Sequence, residues 1–233
     1  MEKLLDEIES YWSTRTEGYS EVNHKELAGT QKNAWLKVLT SQFPDKPKEE
    51  IRILDIGTGP GFFPVILAEA GYHVDAVDYT EGMLEKAKEN AGDLCRNIRF
   101  LRMDAQKLDF EDNTFDVVIS RNLTWNLEHP DVAYREWVRV LKVGGRLLNF
   151  DANWYGYLYE EEQRKAYEND RKNVENNSLD DHYLCTDIER MERIALQVPL
   201  SKISRPQWDV KTLREAGLLG IRTDTEIWKT VWS

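Results

Sequence analysis

The sequence predicts an α/β protein: a doubly wound, mostly parallel sheet of about seven strands with helices on both faces and a helical cap insertion. Three observations predict it. Short β-branched runs alternate with helical segments from residue 51 to residue 150, the grammar of βαβ units. A glycine-rich loop stands where the first of these strands turns into the first of these helices. After Asp151 the alternation stops, and it resumes at Lys211. Residues 153–205 therefore read as an insertion over the C-terminal edge of the sheet.

The elements follow in order. Leu4, Leu5, Ile8 and Trp12 share one helical face, as do Leu27, Trp35, Val38 and Leu39. The polar stretch from Thr14 to Asn23, with Gly18 inside it, predicts a break between them, and Pro44-Asp45-Lys46-Pro47 predicts a stop. Ile51–Ile56 is the first strand. Phe62–Ala70 is a helix that tolerates Pro64 in its first turn and stops at Gly71. His73–Asp78 is the second strand, and Thr80 is placed to cap a helix reaching Asn90. Ile98–Met103 is the third strand. Phe115–Ser120 is the fourth, and its Val117, Val118 and Ile119 predict burial on both faces. Pro130 opens a helix to Leu141, Gly144-Gly145 ends it, and Arg146–Phe150 is the fifth strand. Glu160–Asn177 is a charged helix, Asp180–Arg205 is ambiguous, Lys211–Gly217 is a helix with a glycine stop, and Ile221–Thr225 reads as a sixth strand. Ile227–Trp232 is either a short seventh strand or a sign that this strand is missing, which leaves completeness of the C-terminus open.

A chain of 233 residues buries roughly 70–75% of its unfolded surface in one domain. The expected division is 1–47 for N-terminal helices, 51–152 for the ligand-binding core, 153–205 for the cap and 206–233 for the last core elements. The 31 Lys and Arg against 42 Asp and Glu give a net charge of −11, and no basic run stands clear of acids. Nucleic acid is thus an unexpected partner, since its binders carry a basic face. Apolar runs such as Val117–Ile119 are too short to span a bilayer, and the acidic start Met1-Glu2-Lys3-Leu4-Leu5-Asp6-Glu7, with no long apolar run, reads as no signal peptide. Cys95 and Cys185 give neither a metal spacing nor a disulfide framework. The expectation is a cytoplasmic monomer or homodimer with no metal site.

The sharpest feature is Leu54-Asp55-Ile56-Gly57-Thr58-Gly59-Pro60-Gly61. Glycines there let the backbone turn tightly and approach a ligand, in the crevice beyond the strand ends where open α/β sheets bind ligands. The spacing G-x-G-x-G differs from the pyrophosphate-binding G-x-G-x-x-G, and no Gly-Lys-Ser/Thr follows. Asp78, ending the second strand, is placed to accept from both hydroxyls of a ribose. Asp104, with Ala105, ends the third and suits an adenine amino group. Asp55 would repel a pyrophosphate but suits an ammonium beside a sulfonium cation.

From Ile53 to Phe150 the chain resembles the class I S-adenosylmethionine-dependent methyltransferases, a Rossmann-like superfamily, and within it the small-molecule branch that includes ubiquinone and menaquinone methyltransferases. The motifs are Leu-Asp-Ile-Gly-Thr-Gly-Pro-Gly, Ala-Val-Asp-Tyr-Thr-Glu-Gly-Met-Leu, Met-Asp-Ala, Phe-Asp-Val-Val-Ile-Ser-Arg and Val-Leu-Lys-Val-Gly-Gly-Arg-Leu. The resemblance implies that S-adenosylmethionine is the cofactor and S-adenosylhomocysteine its product. It implies that Gly57, Thr58, Gly59 and Gly61 line the methionine part, with Asp55 near its ammonium. Asp78 would hold the ribose, flanked by Tyr79 and Met83. Asp104 and Ala105 would meet the adenine, and Ser120 and Arg121 would face the sulfonium end. Tyr11 and Tyr19 resemble the aromatic residues that close over the methionine moiety in relatives.

The expected reaction is in-line methyl transfer to a small-molecule acceptor, a chemistry that leaves no catalytic side chain readable. The acceptor side should lie over the fourth and fifth strand ends. Asn122, Trp125 and His129 are the candidates in the first loop, with Asn126 beside them, and Trp154 and Tyr157 in the cap's aromatic run. Asp151 and Asn153 stand next to these. Two other functions compete: an NAD(P)-dependent oxidoreductase sharing Asp78 and the fold, and a non-catalytic S-adenosylmethionine-binding regulator.

Overall fold

The computed structural model describes residues 4–177 and 186–232. Cys185, the Met1-Glu2-Lys3 start and residues 180–185 of the ambiguous stretch lie outside these residues.

The chain opens with α1 (Leu4–Ala28) and α2 (Gln31–Thr40). The predicted break inside α1 does not occur. Thr14 and Thr16 turn their hydroxyls back onto carbonyls of their own helix, at Tyr11 and Ser13. A Cβ at Gly18 would meet only Arg15 Nη1, at 3.6 Å. The polar residues are the buried face: Thr16, Ser20, Asn23 and Glu26 follow a helical spacing and all are buried. The break comes at Gly29-Thr30.

Then the βαβ series runs β1 (Arg52–Ile56), α3 (Phe62–Glu69), β2 (His73–Asp78), α4 (Glu81–Ala91), β3 (Ile98–Arg102), β4 (Phe115–Arg121), α5 (Pro130–Val140) and β5 (Leu141–Phe150). The sheet order is β3-β2-β1-β4-β5 and every pairing is parallel. Strand order reverses between β1 and β4, so the crevice outside their C-terminal ends is the switch point of the sheet. Alternate residues of β4 serve opposite cores. Val118 packs with Leu54, Tyr134 and Trp137 on one face. Val117 and Ile119 pack with Ile53, Phe63 and Trp35 on the other.

Three expectations are corrected. Gly144-Gly145 does not end a helix: α5 passes directly into β5, and the glycines form a bulge between the Phe115–Leu141 and Val117–Arg146 pairs. Gly144 has φ +80°, and a Cβ on Gly145 would sit 2.9 Å from the Asp116 carbonyl. The sheet has five strands among the described residues, not about seven. Residues 221–227 carry no strand, and Trp228–Val231 is a helical turn, α9. Asp224 Oδ1 accepts from Glu226 N at 2.8 Å and Lys229 reaches back to Glu226. That turn buries Val231 beside Trp35 and Leu39 and leaves Trp228 and Trp232 exposed.

Between β5 and α8 (Gln207–Glu215) lie α6 (Glu161–Asn177) and α7 (Ile188–Ala195). Met191, Ile194 and Val198 form a small core with Ile8 and Tyr11 of α1 and with Trp125 from the loop after β4. Thus α1 is pinned against the C-terminal ends of the strands. Among the described residues no helix is long and apolar enough to cross a membrane.

Candidate functional site

One cleft opens at the switch point, enclosing about 830 Å³ of space continuous with solvent. The glycine loop forms its floor. Gly57, Gly59 and Gly61 all have positive φ, at 69°, 52° and 91°, which only glycine adopts readily. At Gly57 a Cβ would lie 2.7 Å from Leu123 Cδ2, so a side chain there would force Leu123 to move. The amides of Gly57 and Thr58 donate to the Val77 carbonyl at 2.9 and 3.0 Å. The loop is therefore sewn to the end of β2.

Asp78 completes that seam. Its Oδ2 accepts from Gly59 N at 2.8 Å and its Oδ1 from Thr80 N at 2.9 Å. Burial raises its pKa, against the pull of those amide bonds. Asp55 lies behind the loop, 2% exposed, and burial pushes its carboxyl up to about 7. Asp104 turns back onto its own loop, accepting from Gln106 N at 2.8 Å and Gln106 Nε2 at 3.1 Å. Gln106 Oε1 in turn accepts from His129 N at 2.6 Å, tying the loop after β3 to the start of α5.

Of the residues read from the sequence, the cleft is lined by Tyr19, Gly57, Gly59, Asp78, Tyr79, Met83, Asp104, Ala105, Arg121 and Asn122. The others stand elsewhere. Thr58 and Gly61 lie in the loop but outside the lining; a Cβ at Gly61 would press on Ala87 of α4 at 3.0 Å. Ser120 is fully buried and donates to the Ile56 carbonyl at 2.9 Å. Tyr11 belongs to the small core under α7. Trp125 is buried between Trp12 and Tyr155, stacked on the latter at 5.1 Å. Tyr157 stacks on Tyr167 and donates to Glu192 Oε1 at 2.9 Å. Trp154 is 47% exposed, and His129 is exposed at the start of α5. None of these four lines the cleft.

The sequence reading missed the roof. Leu5, Ile8, Glu9 and Trp12 of α1 face the cleft, as do Met103, Gln106, Leu123, Leu127 and Glu128, while Asn126, named from the sequence, lines it too. The spacing 5, 8, 12 announces a helical face, but nothing local says what that face covers. Charge in the cleft is one-sided. Glu9, Asp78, Asp104 and Glu128 are acids, and among the described lining residues Arg121 is the one cation. Its Nη1 and Nη2 are both taken by Glu26, at 3.0 and 2.8 Å. Among the described residues no cluster of His, Cys, Asp and Glu is placed to hold a metal.

Residues 54–149 match the model of a methyltransferase domain family. A demethylmenaquinone methyltransferase of Renibacterium salmoninarum is 31% identical over 148 residues, covering 64% of this chain and 60% of that protein. Its counterpart in Clavibacter sepedonicus is 41% identical over 98 residues, 42% of this chain and 39% of that protein. This chain thus spans about two-fifths to three-fifths of the length of these curated relatives. A solved structure of a putative S-adenosylmethionine-dependent methyltransferase from Methanococcus maripaludis superposes with a TM-score of 0.59 at 22% identity, over 88% of this chain and 82% of that one. That likeness concerns the fold.

The cofactor of that methyltransferase class is S-adenosylmethionine, and the residues present fit it. The loop offers a Cβ-free floor, Asp78 stands at its edge, and the acids suit a ligand with a sulfonium and an ammonium.

Proposed function

We propose that this chain, which carries a class I S-adenosylmethionine-dependent methyltransferase domain, transfers a methyl group to a small-molecule acceptor. The observation that carries it is the 2.8 Å bond from Gly59 N to Asp78 at the rim of the switch-point cleft. It fixes the ribose-seeking carboxylate and the glycine loop as one rigid unit. In this reading Gly57 and Gly59 receive the methionine part, Asp78 with Tyr79 and Met83 the ribose, and Ala105 with Met103 and Gln106 the adenine. Tyr19 closes over the loop, where a Cβ on Gly59 would lie 3.5 Å from its ring. Thr58, Gly61, Ser120 and Tyr11 support these residues from behind.

The bound cofactor supplies a methyl already activated by its sulfonium. The protein's share is to align and to exclude water. Leu5, Ile8 and Trp12 roof the cleft with apolar surface, while Asn122 and Asn126 offer hydrogen bonds at the acceptor end. The described part of the cap, through Tyr155 and α7, packs against α1 and holds it over the cleft. Among the described lining residues the groups able to act as a general base are carboxylates, those of Glu9, Asp78, Asp104 and Glu128. The net charge of −11 argues against a nucleic-acid partner, and the reading is of a protein that works in the cytoplasm as a monomer or homodimer. The dehydrogenase and regulator readings are not favoured by the family match.

The test is isothermal titration with S-adenosylhomocysteine, beside Asp78→Ala. Micromolar binding weakened by about 1–3 kcal/mol in the variant, the worth of hydrogen bonds to a charged group, supports the reading. An intact, folded protein that does not bind rejects it.

A further inference from the structure

We propose that the strip formed by Leu219, Trp228 and Trp232 beside β5 is an interface between two copies of this chain, which pair there about a two-fold axis. Of the two assembly states given above, this selects the homodimer and assigns its surface. It does not rest on methyl transfer.

The sheet has two edges, β3 and β5. β3 is five residues long and exposes Arg99 and Arg102, charges that discourage pairing with another chain. β5 is ten residues long, and after Arg146 it reads Leu147-Leu148-Asn149-Phe150, with no charge. The C-terminal segment borders this second edge. On one face of the sheet Trp208 of α8 lies on Tyr134 of α5, and Leu218 and Ile221 pack on the same core as Leu147. On the other face Val231 shares a core with Trp35, whose ring meets Phe150 of β5 at 4.9 Å. Residues 218–231 thus cross from face to face on the β5 side. The crossing leaves large apolar side chains in water: Leu219 is 87% exposed, Trp228 57% and Trp232 60%.

Trp228 and Trp232 are four positions apart on α9 and share a face. The two indoles alone leave roughly 300 Å² in water, a size at which an apolar patch marks an interaction site. Leu219 adds to it at the start of the same crossing. The total is of the order that each partner supplies to a weak, reversible complex, about 600 Å² or less. Trp228 is also held in place. Lys229 Nζ lies 5.6 Å from its ring centroid and is itself tied to Glu226. An aromatic side chain already fixed loses little freedom on docking, which suits it to anchor a protein interface. The flanking charges choose the partner. Arg222 and Lys229 stand among Asp224 and Glu226, so both signs share one strip. A second copy turned by a two-fold axis presents each sign with its opposite. Anionic lipid headgroups would instead meet those acids and a net charge of −11.

The experiment is sedimentation velocity of the full chain from about 1 to 100 µM, the range of a weak complex. The expected result is a concentration-dependent species of twice the 27.3 kDa chain and nothing larger, because a two-fold contact closes on itself. Trp228→Gln with Trp232→Gln should raise the dimer Kd at least tenfold, with the Tm unchanged and the S-adenosylhomocysteine Kd within twofold. Leu219→Gln should weaken the dimer at least threefold, and it decides alone if the double variant melts lower. Trp154→Gln, at an exposed tryptophan of the cap, should leave the dimer as it is. The proposal is overturned by a chain that stays monomeric at the highest concentration, by open-ended oligomers, or by a double variant or Leu219→Gln that dimerises like wild type. It is overturned equally if Trp154→Gln dissolves the dimer, or if monomeric wild type sediments with phosphatidylcholine vesicles and the double variant does not, which makes the strip a lipid contact. A folded dimer that binds no S-adenosylhomocysteine removes the methyl-transfer reading and leaves this one standing.

Discussion

Arg121, at the end of β4, and Glu26, near the end of α1, form a two-toothed ion pair across 95 positions of sequence, with N–O distances of 3.0 and 2.8 Å. The guanidinium also lies over the Phe62 ring, 4.5 Å from its centroid. Glu26 is 8% exposed, so the pair sits in a low-dielectric site where the two charges depend on each other. It anchors the C-terminal half of α1, whose N-terminal half roofs the cleft.

Glu26→Gln therefore leaves Arg121 buried beside a neutral group. The expected loss of stability is about 3–5 kcal/mol, typical of breaking a buried pair from one side. Thermal melts read it directly. S-adenosylhomocysteine should also bind more weakly, because the roof is no longer fixed. Glu26→Gln with wild-type Tm and affinity would show that α1 is held by its packing alone.

Two glycine variants separate strain from function. Gly57 and Gly71 both have positive φ, at 69° and 90°. An alanine at Gly71 would meet nothing within 4 Å, whereas at Gly57 it would run into Leu123. Gly71→Ala should cost about 1–2 kcal/mol of stability, the backbone penalty alone, and leave S-adenosylhomocysteine affinity intact. Gly57→Ala should cost more and displace Leu123, lowering affinity at least tenfold. Equal affinities in the two variants would detach the loop from ligand binding.

The elements that proved legible are those whose burial is written in apolar letters. The run Val117-Val118-Ile119 announces a strand buried on both faces, and so it lies between two cores. The glycine loop and Asp78 are legible for a different reason: their residue types are dictated by backbone geometry and by a fixed bond between them. The roof was legible as an apolar helical face, Leu5, Ile8 and Trp12, but not in what it covers. The rest of α1 was not legible: its buried face carries Thr16, Ser20, Asn23 and Glu26, residues that look solvated until the groups opposite them are known. The C-terminal strands failed in the opposite direction. Ile221, Thr223 and Thr225 alternate as a strand should, yet strand propensity is decided by context. Here Ile221 packs against the core that holds Val118 and Leu213 while Val231 drops into the other.

Two buried aspartates should respond to pH with opposite sign. Asp55, raised to about 7 by burial, folds more readily when neutral. Its contribution to ligand-free stability is complete below about pH 4 and is lost as pH rises towards 7. Asp116 is the reverse. Burial opposes its charge, but Lys142 at 2.7 Å, Lys46 at 2.6 Å and Arg52 N at 3.1 Å outweigh burial and hold it at about 2. Its contribution is complete above about pH 4 and is lost as pH falls towards 2. Melts of Asp55→Asn from pH 4 to 8 should gain on wild type as pH rises. Asp116→Asn should lose most near neutrality and converge on wild type in acid. Parallel curves for either pair would contradict its assignment.

The last prediction concerns the polar knot behind the acceptor end. The Arg205 guanidinium meets Asp209 through Nη2 at 2.7 Å and Nε at 2.9 Å, Asp151 through Nη1 at 3.1 Å, and Thr124 Oγ1 at 2.8 Å. Asp209 also accepts from the Tyr134 hydroxyl, and Asp151 from the Thr124 hydroxyl and from Trp125 N at 3.0 Å. One buried cation thus joins α8 to β5 and to the loop that carries Asn122 and Asn126. Arg205→Met leaves two buried carboxylates without their cation, at a cost of about 3–5 kcal/mol. Removing one of those charges as well should relieve part of it, so Arg205→Met with Asp209→Leu should melt higher than Arg205→Met alone. Urea titrations of wild type, the two single variants and the double variant complete the cycle, and the coupling is read from their difference. Strict additivity would mean that Arg205 and Asp209 are neighbours without being partners, and that Asp151 alone ties the cap side to the sheet.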